Sequence, residues 1–196
     1  MKPRGRYIVL EGIDGAGKTG LLDRLGPALL QRGHATARFR EPTDAFLRAE
    51  GTRLAQVDPL GAAFCFTVDR MMLRPEIERA LDRGDIVLQD RSFYSTLAYQ
   101  AAGLAPEQWR ELERIERSVA LEPDLVLLLD LPVAIALKRA GRRGPRDTFE
   151  QAAYLEGVRA RFEALFAPPR WVRVDASGFP QATLDRALAA VGTLGL

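Results

Sequence analysis

The stretch Gly12-Ile13-Asp14-Gly15-Ala16-Gly17-Lys18-Thr19 sets three glycines, a lysine and a hydroxyl in the spacing G-x-x-x-x-G-K-[ST]. Glycines let such a backbone curl until successive N–H groups point inward at a polyphosphate. Lys18 then brings positive charge to the β- and γ-phosphates of a nucleotide, and the Thr19 hydroxyl is a ligand for Mg²⁺. These eight residues are the candidate ATP-binding loop, with Lys18 as a catalytic cation.

Further groups with chemistry lie downstream. Asp90-Arg91 closes an apolar run; Asp90 can reach Mg²⁺ directly or through water, and Arg91 can grip a phosphate with two parallel hydrogen bonds. Phe66 and Arg70 are one helical turn apart on one face, where a ring and a guanidinium can hold a nucleobase. Thr96, Tyr99 and Gln100 share a helical face just after Ser95, and their donors and acceptors can read a base edge. Arg139, Arg142, Arg143 and Arg146 crowd around Gly141 and Gly144. A glycine-hinged arginine loop can close over phosphates and supply charge in a transition state.

The elements that must position these groups follow from the hydrophobic pattern. Short apolar runs at Tyr7–Leu10, Ala35–Phe39, Ile86–Gln89, Leu125–Leu129 and Trp171–Val174 read as buried strands, with helical patterns between them. Leu21, Leu22, Leu25, Leu29 and Leu30 give the first helix, Gly33 its C-terminal cap, and Pro27 predicts a kink or break near Gly26. Asp147-Thr148-Phe149-Glu150 reads as a capped helix start. Alternating strands and helices predict an α/β fold of three layers, a five-stranded parallel sheet flanked by helices. One domain spanning 1–196 is expected, with an arginine-rich lid over about 138–150. Ligands of such sheets bind past the carboxyl ends of the strands. Glu11, Arg40-Glu41-Pro42, Asp90-Arg91-Ser92, Asp130 and Asp175-Ala176-Ser177-Gly178 sit there.

Composition narrows the classes. A net charge of +2 gives no reason to expect a nucleic-acid partner. Lysine supplies only Lys2, Lys18 and Lys138, so arginine makes up the rest of the 28 basic residues, and a functional arginine must be argued from position. Cys65 is the single cysteine, so no disulfide forms within the chain, which fits a reducing cytoplasm. His34 is the single histidine and reads as a cap or loop residue. No apolar run approaches the ~20 residues of a membrane span, and the run before the glycine loop is too short for a secretory signal. The chain has no asparagine, which excludes the N-K-x-D guanine reader of a GTPase switch.

Taken together, the motifs resemble thymidylate kinase, a family of P-loop nucleoside monophosphate kinases. The family's first motif corresponds to Glu11-Gly12-Ile13-Asp14-Gly15-Ala16-Gly17-Lys18, and its R-E-P stretch to Arg40-Glu41-Pro42. Its F-x-x-D-R is Phe66 to Arg70, its D-R-x-x-x-S-x-x-A-Y-Q is Asp90 to Gln100, and its P-D-L-x-x-x-L-D-x-P is Pro123 to Pro132. The resemblance implies Mg²⁺-dependent transfer of the ATP γ-phosphoryl group to dTMP, in dTTP synthesis, by a cytoplasmic homodimer. It implies that Asp14 holds the deoxyribose 3′-hydroxyl and Arg91 the acceptor phosphate. Phe66 would stack on thymine, and Arg70 would meet the base edge or phosphate. Thr96 and Gln100 would read the thymine edge beside Ser95, and Tyr99 would crowd the 2′ position. Thr19 and Asp90 would serve the metal, Arg139 would lie against adenine, and Arg142, Arg143 and Arg146 would clamp phosphates.

Three positions depart from the family pattern: Gly20 in place of a second hydroxyl, Thr43-Asp44-Ala45 where G-G-T is usual, and Ser92 in place of Tyr or His. The last two bring the chain toward deoxynucleoside kinases, which carry Glu-Pro after the second strand and an E-R-S-x-Y-S stretch. A regulatory ATPase is a third reading. Chemistry separates the first two: a nucleoside 5′-hydroxyl must lose a proton to a carboxylate base, whereas a monophosphate oxygen is already ionised.

Overall fold

The computed structural model describes residues 4–54, 56–141 and 145–196, the side chains of 145–150 excepted. Five strands form one parallel sheet: β1 (Tyr7–Glu11), β2 (Thr36–Arg40), β3 (Ile86–Asp90), β4 (Leu125–Asp130) and β5 (Trp171–Asp175). Their spatial order is β2-β3-β1-β4-β5. Among the described residues the helices are α1 (Lys18–Gln31), α2 (Asp44–Leu54), α3 (Pro59–Asp82), α4 (Phe93–Gln100), α5 (Pro106–Val119), α6 (Val133–Arg139), α7 (Pro145–Leu165) and α8 (Pro180–Gly192).

Each strand runs one residue beyond its apolar run, so the charged residue after the run is its last member. The register aligns these ends: Leu10 faces Asp90 across β1–β3, Arg40 faces Asp90 across β2–β3, and Asp130 faces Asp175 across β4–β5. The carboxyl edge of the sheet is therefore a row of polar groups over an apolar floor.

Alternation along the central strands sorts the core into two faces. Ile8, Leu10 and Leu88 pack with Leu21, Leu22, Leu25 and Leu29 of α1. Tyr7, Val9 and Val87 pack with Leu73, Ile77, Ala80 and Leu81 of α3. The expectation of five buried strands holds for β1, β3 and most of β4. It does not hold for β2, where no residue is buried, nor for all of β5. Both are edge strands with a neighbour on one side only.

Pro27 does not break α1, which runs unbroken from Lys18 to Gln31. Pro27 and Asp23 both lie on the exposed face, so the Asp23 carbonyl that loses a helical partner there meets water. Gly33 closes the helix end as expected, at φ 88° with its N–H on the Leu30 carbonyl. Leu30, however, is exposed rather than part of the core. α7 begins at Pro145, so Asp147 lies inside the helix rather than capping it.

Candidate active site

Gly12 and Gly15 shape the loop between β1 and α1. Their φ angles are 137° and 82°. A Cβ at Gly12 would stand 2.5 Å from the Leu129 carbonyl oxygen, and one at Gly15 would stand 2.2 Å from that of Ala136. Only glycine fits either position. Gly17, in the left-handed region, leads into α1 without a side-chain cap, so the first amides of the helix stay available to an anion.

Three cavities lie in a row along the carboxyl edge of the sheet. The middle one, about 300 Å³, is lined by Asp14, Gly15, Gly17, Lys18, Thr19, Gly20, Arg40, Asp90 and Arg91. It shares Gly17 and Gly20 with a second of about 340 Å³, which adds Ala16, Arg139, Ala176 and Gly178. It shares Asp14 and Arg91 with a third of about 250 Å³. That third cavity gathers Phe66 and Arg70 from α3 and Ser95, Thr96, Tyr99 and Gln100 from α4, with Glu41, Pro42 and Ser92. Every acceptor-side residue expected from the sequence is thus in one place.

Lys18 Nζ sits behind the loop, 2.8 Å from the Gly12 carbonyl oxygen and 3.1 Å from that of Ile13, with both residues buried. Burial and the positive charge of Arg91 hold its pKa down to about 8. Thr19 Oγ1 donates to Asp90 Oδ2 at 2.7 Å. Asp90 Oδ1 is buried and, among the described residues, has no hydrogen-bond partner.

Arg91 adopts φ 68°, unusual for a residue with a side chain. Its amide donates to the Leu10 carbonyl at 3.0 Å, which pins the turn between β3 and α4. Its guanidinium ion-pairs with Asp14, donates to Ser95 Oγ at 3.1 Å and lies 4.8 Å from the centre of the Tyr99 ring. Phe66 is half-buried and faces the cavity, with Phe46 as ring neighbour at 6.2 Å. Arg139 donates to the carbonyls of Ala176, Ser177 and Gly178, tying the end of α6 to the loop after β5. Arg142 and Arg143 lie outside the described residues. Arg146 falls on α7, but its side chain is outside them too.

Several residues in the site had drawn no role from the sequence. Glu11 is fully buried and accepts from the Ser92 amide and hydroxyl, both at 2.8 Å, and from Ser95 Oγ at 2.6 Å. Burial pushes its carboxyl up. Glu41 accepts from Arg70 Nε and from Gln89 Nε2, each at 2.8 Å. Burial raises it to about 7 against the pull of Arg70. Asp69 accepts from the Thr43 amide at 2.7 Å and its hydroxyl at 2.6 Å. Thr43 Oγ1 in turn accepts from the Phe46 amide, so the departure at Thr43-Asp44-Ala45 builds the start of α2 and ties it to α3. Ser92, another departure, caps α4 by accepting from the Tyr94 amide. The legible signals for Glu11 and Glu41 were their places at the ends of the first two apolar runs and their membership of the first motif and of Arg40-Glu41-Pro42.

A family model described as thymidylate kinase matches residues 10–186. The chain belongs to the thymidylate kinase family. The chain is 36% identical over 189 residues to a "Probable thymidylate kinase" of Methanosarcina barkeri, covering 91% of each. It is 39% identical over 208 residues to a thymidylate kinase of Deinococcus radiodurans, covering 98% of each. A thymidylate kinase of Xanthomonas euvesicatoria is 38% identical over 200 residues, 97% of this chain and 85% of the other. The glycine loop stands between cavities of about 340 and 250 Å³.

Proposed function

We propose that this chain, as a single kinase domain, transfers the γ-phosphoryl group of ATP to dTMP, giving dTDP and ADP. One observation carries the reading: the cavity built around the glycine loop adjoins a nucleobase-sized cavity, with Asp14 and Arg91 lining both. A donor and an acceptor held on either side of that junction meet phosphate to phosphate, and positioning of this kind removes much of the entropic barrier.

In this reading adenine lies by Arg139 and the loop after β5, and the triphosphate lies on the amides of Gly15 to Thr19. Lys18 neutralises the transferred group. Arg91 holds the acceptor phosphate, Asp14 the 3′-hydroxyl, and Phe66 stacks on thymine beside Pro42. Tyr99 crowds the 2′ position. Mg²⁺ fits Thr19 and Asp90: both offer hard oxygen ligands, and Asp90 Oδ1 lacks another partner among the described residues. When bound, the ion would neutralise charge on the β- and γ-phosphates.

The thymidine-kinase alternative needs a carboxylate base. Both carboxylates in the acceptor cavity are already engaged, Glu41 by Arg70 and Gln89, and Asp14 by Arg91. Their engagement favours the monophosphate. ADP release measured side by side with dTMP, thymidine, dUMP, dCMP and dGMP tests the assignment. Turnover is fastest with dTMP; turnover with thymidine and none with dTMP overturns it.

A homodimer and a cytoplasmic location belong to the same proposal. Phe64, Val68, Met71 and Met72 expose one face of α3, an apolar surface suited to a second copy. Among the described residues no helix is long and apolar enough to cross a membrane.

Two outcomes follow. Arg91→Ala loses a charge-assisted grip on the acceptor, so kcat/KM for dTMP falls roughly ten- to hundredfold while KM for ATP holds. A change in ATP affinity alone would move Arg91 to the donor side. The pH profile follows from Lys18. Above about 8 it loses its proton in the free enzyme, so kcat/KM for ATP falls about tenfold per pH unit from there. The profile of kcat turns down at higher pH, because bound phosphate favours the charged amine. A kcat/KM profile flat to pH ~10 contradicts this role of Lys18.

A further inference from the structure

Beside the acceptor cavity lies a buried cluster in which Glu41, Arg70 and Thr96 line the cavity, whereas Glu116 and Thr67 do not. Arg70 is 5% exposed, and its guanidinium is divided among three partners. Nε donates to Glu41 Oε2, NH1 donates to Glu116 Oε2, and NH2 donates to Thr96 Oγ1 at 3.0 Å. Glu116 is fully buried and does not line the cavity. Its other oxygen accepts from Thr67 Oγ1 at 2.7 Å.

Glu116 is unusual in its own helix. The buried positions of α5 are Leu112 and Glu116, one turn apart, and the other carboxylates of that helix lie toward solvent. An aliphatic side chain at 116 would pack against α3 without the desolvation cost of a buried carboxylate. The carboxylate therefore answers to Arg70. With Glu41 on one edge of the guanidinium and Glu116 on another, the plane of Arg70 cannot rotate, and one NH2 hydrogen is directed at Thr96.

That bond occupies one lone pair of the Thr96 oxygen and leaves its hydrogen to donate; among the described residues it makes no other hydrogen bond. The guanidinium of Arg70, which also lines the cavity, is donor-only, so this wall suits a carbonyl on the base edge and opposes an exocyclic amine. A pyrimidine with a keto group is accepted, and one with an amino group leaves donor facing donor.

We propose that Glu116, supported by Thr67, is a positioning residue for acceptor selectivity: it holds Arg70 so that the site discriminates keto from amino pyrimidine nucleotides. The inference rests on the acceptor reading above.

The test uses the full chain with wild type, Glu116→Gln, Glu116→Ala and Thr67→Val, each assayed with dTMP and dCMP at saturating ATP, and with ATP varied. Wild type prefers dTMP. Glu116→Ala loses roughly tenfold or more in that preference, through a raised KM for dTMP, with KM for ATP unchanged. Glu116→Gln keeps an acceptor oxygen for Arg70 and recovers much of the preference. Thr67→Val, nearly isosteric, shifts it in the same direction by less, and remains informative if Glu116→Ala fails to fold. A wild type indifferent to the two acceptors overturns the reading of the cavity and this inference with it. A discriminating wild type whose folded variants discriminate equally, or lose dTMP and dCMP turnover in equal proportion, overturns the inference alone.

Discussion

Replacing Arg142, Arg143 and Arg146 together by alanine slows kcat by ~10³ or more while leaving KM for dTMP nearly unchanged. Phosphoryl transfer spreads negative charge over three equatorial oxygens, and an arginine aimed at them is worth that much. The cations lining the middle cavity do not meet the need. Arg91 is paired with Asp14 and faces the acceptor, and Arg40 is paired with Asp44 at 3.0 Å. Lys18 is one charge, held behind the loop. Arg139 is taken up by three carbonyls of the loop after β5. The source expected from the sequence is the arginine cluster Arg142, Arg143 and Arg146, whose side chains lie outside the described residues. Single substitutions are milder, because neighbouring arginines substitute for one another. Steady-state kinetics of the triple variant decides: an unchanged kcat makes the cluster a solvated basic loop.

Lys18→Ala lowers kcat by about 10²–10³ without loss of stability. The loss is electrostatic, since the amine is the one cation carried by the loop itself. The stability expectation comes from burial. The folded state holds the Lys18 pKa down to about 8, which means that folding disfavours its charged form at neutral pH. Removing the amine removes that penalty and leaves two loop carbonyls without a donor, opposing effects of similar kind. Thermal unfolding of the variant should fall close to wild type while turnover collapses. A folded variant with normal kcat contradicts the assignment.

The sequence made the frame of the site legible because its signals are local. The glycine spacing from Gly12 to Gly17 reports a backbone requirement, and the structure explains it through carbonyl oxygens that a Cβ at Gly12 or Gly15 would strike and through the positive φ of Gly17. Phe66 and Arg70, and Thr96 with Gln100, share faces by helical spacing alone, and they line one cavity as expected. What stayed hidden depends on partners far apart in the chain. Nothing near Glu116 announces that it meets Arg70, 46 residues earlier. Nor does Glu11 announce its bonds to Ser92 and Ser95. Two of the misread elements share one cause: Pro27 and the β2 edge were judged by local propensity, and the exposure that made them tolerable is a tertiary property.

The most direct measurement gives the enzyme ATP labelled at the γ-phosphate with dTMP and thymidine together in equal amounts, and then identifies the labelled product. The account predicts label in dTDP and essentially none in dTMP formed from thymidine. Label appearing in dTMP, with dTDP unlabelled, would contradict it, because the acceptor cavity would then be activating a hydroxyl rather than positioning a phosphate.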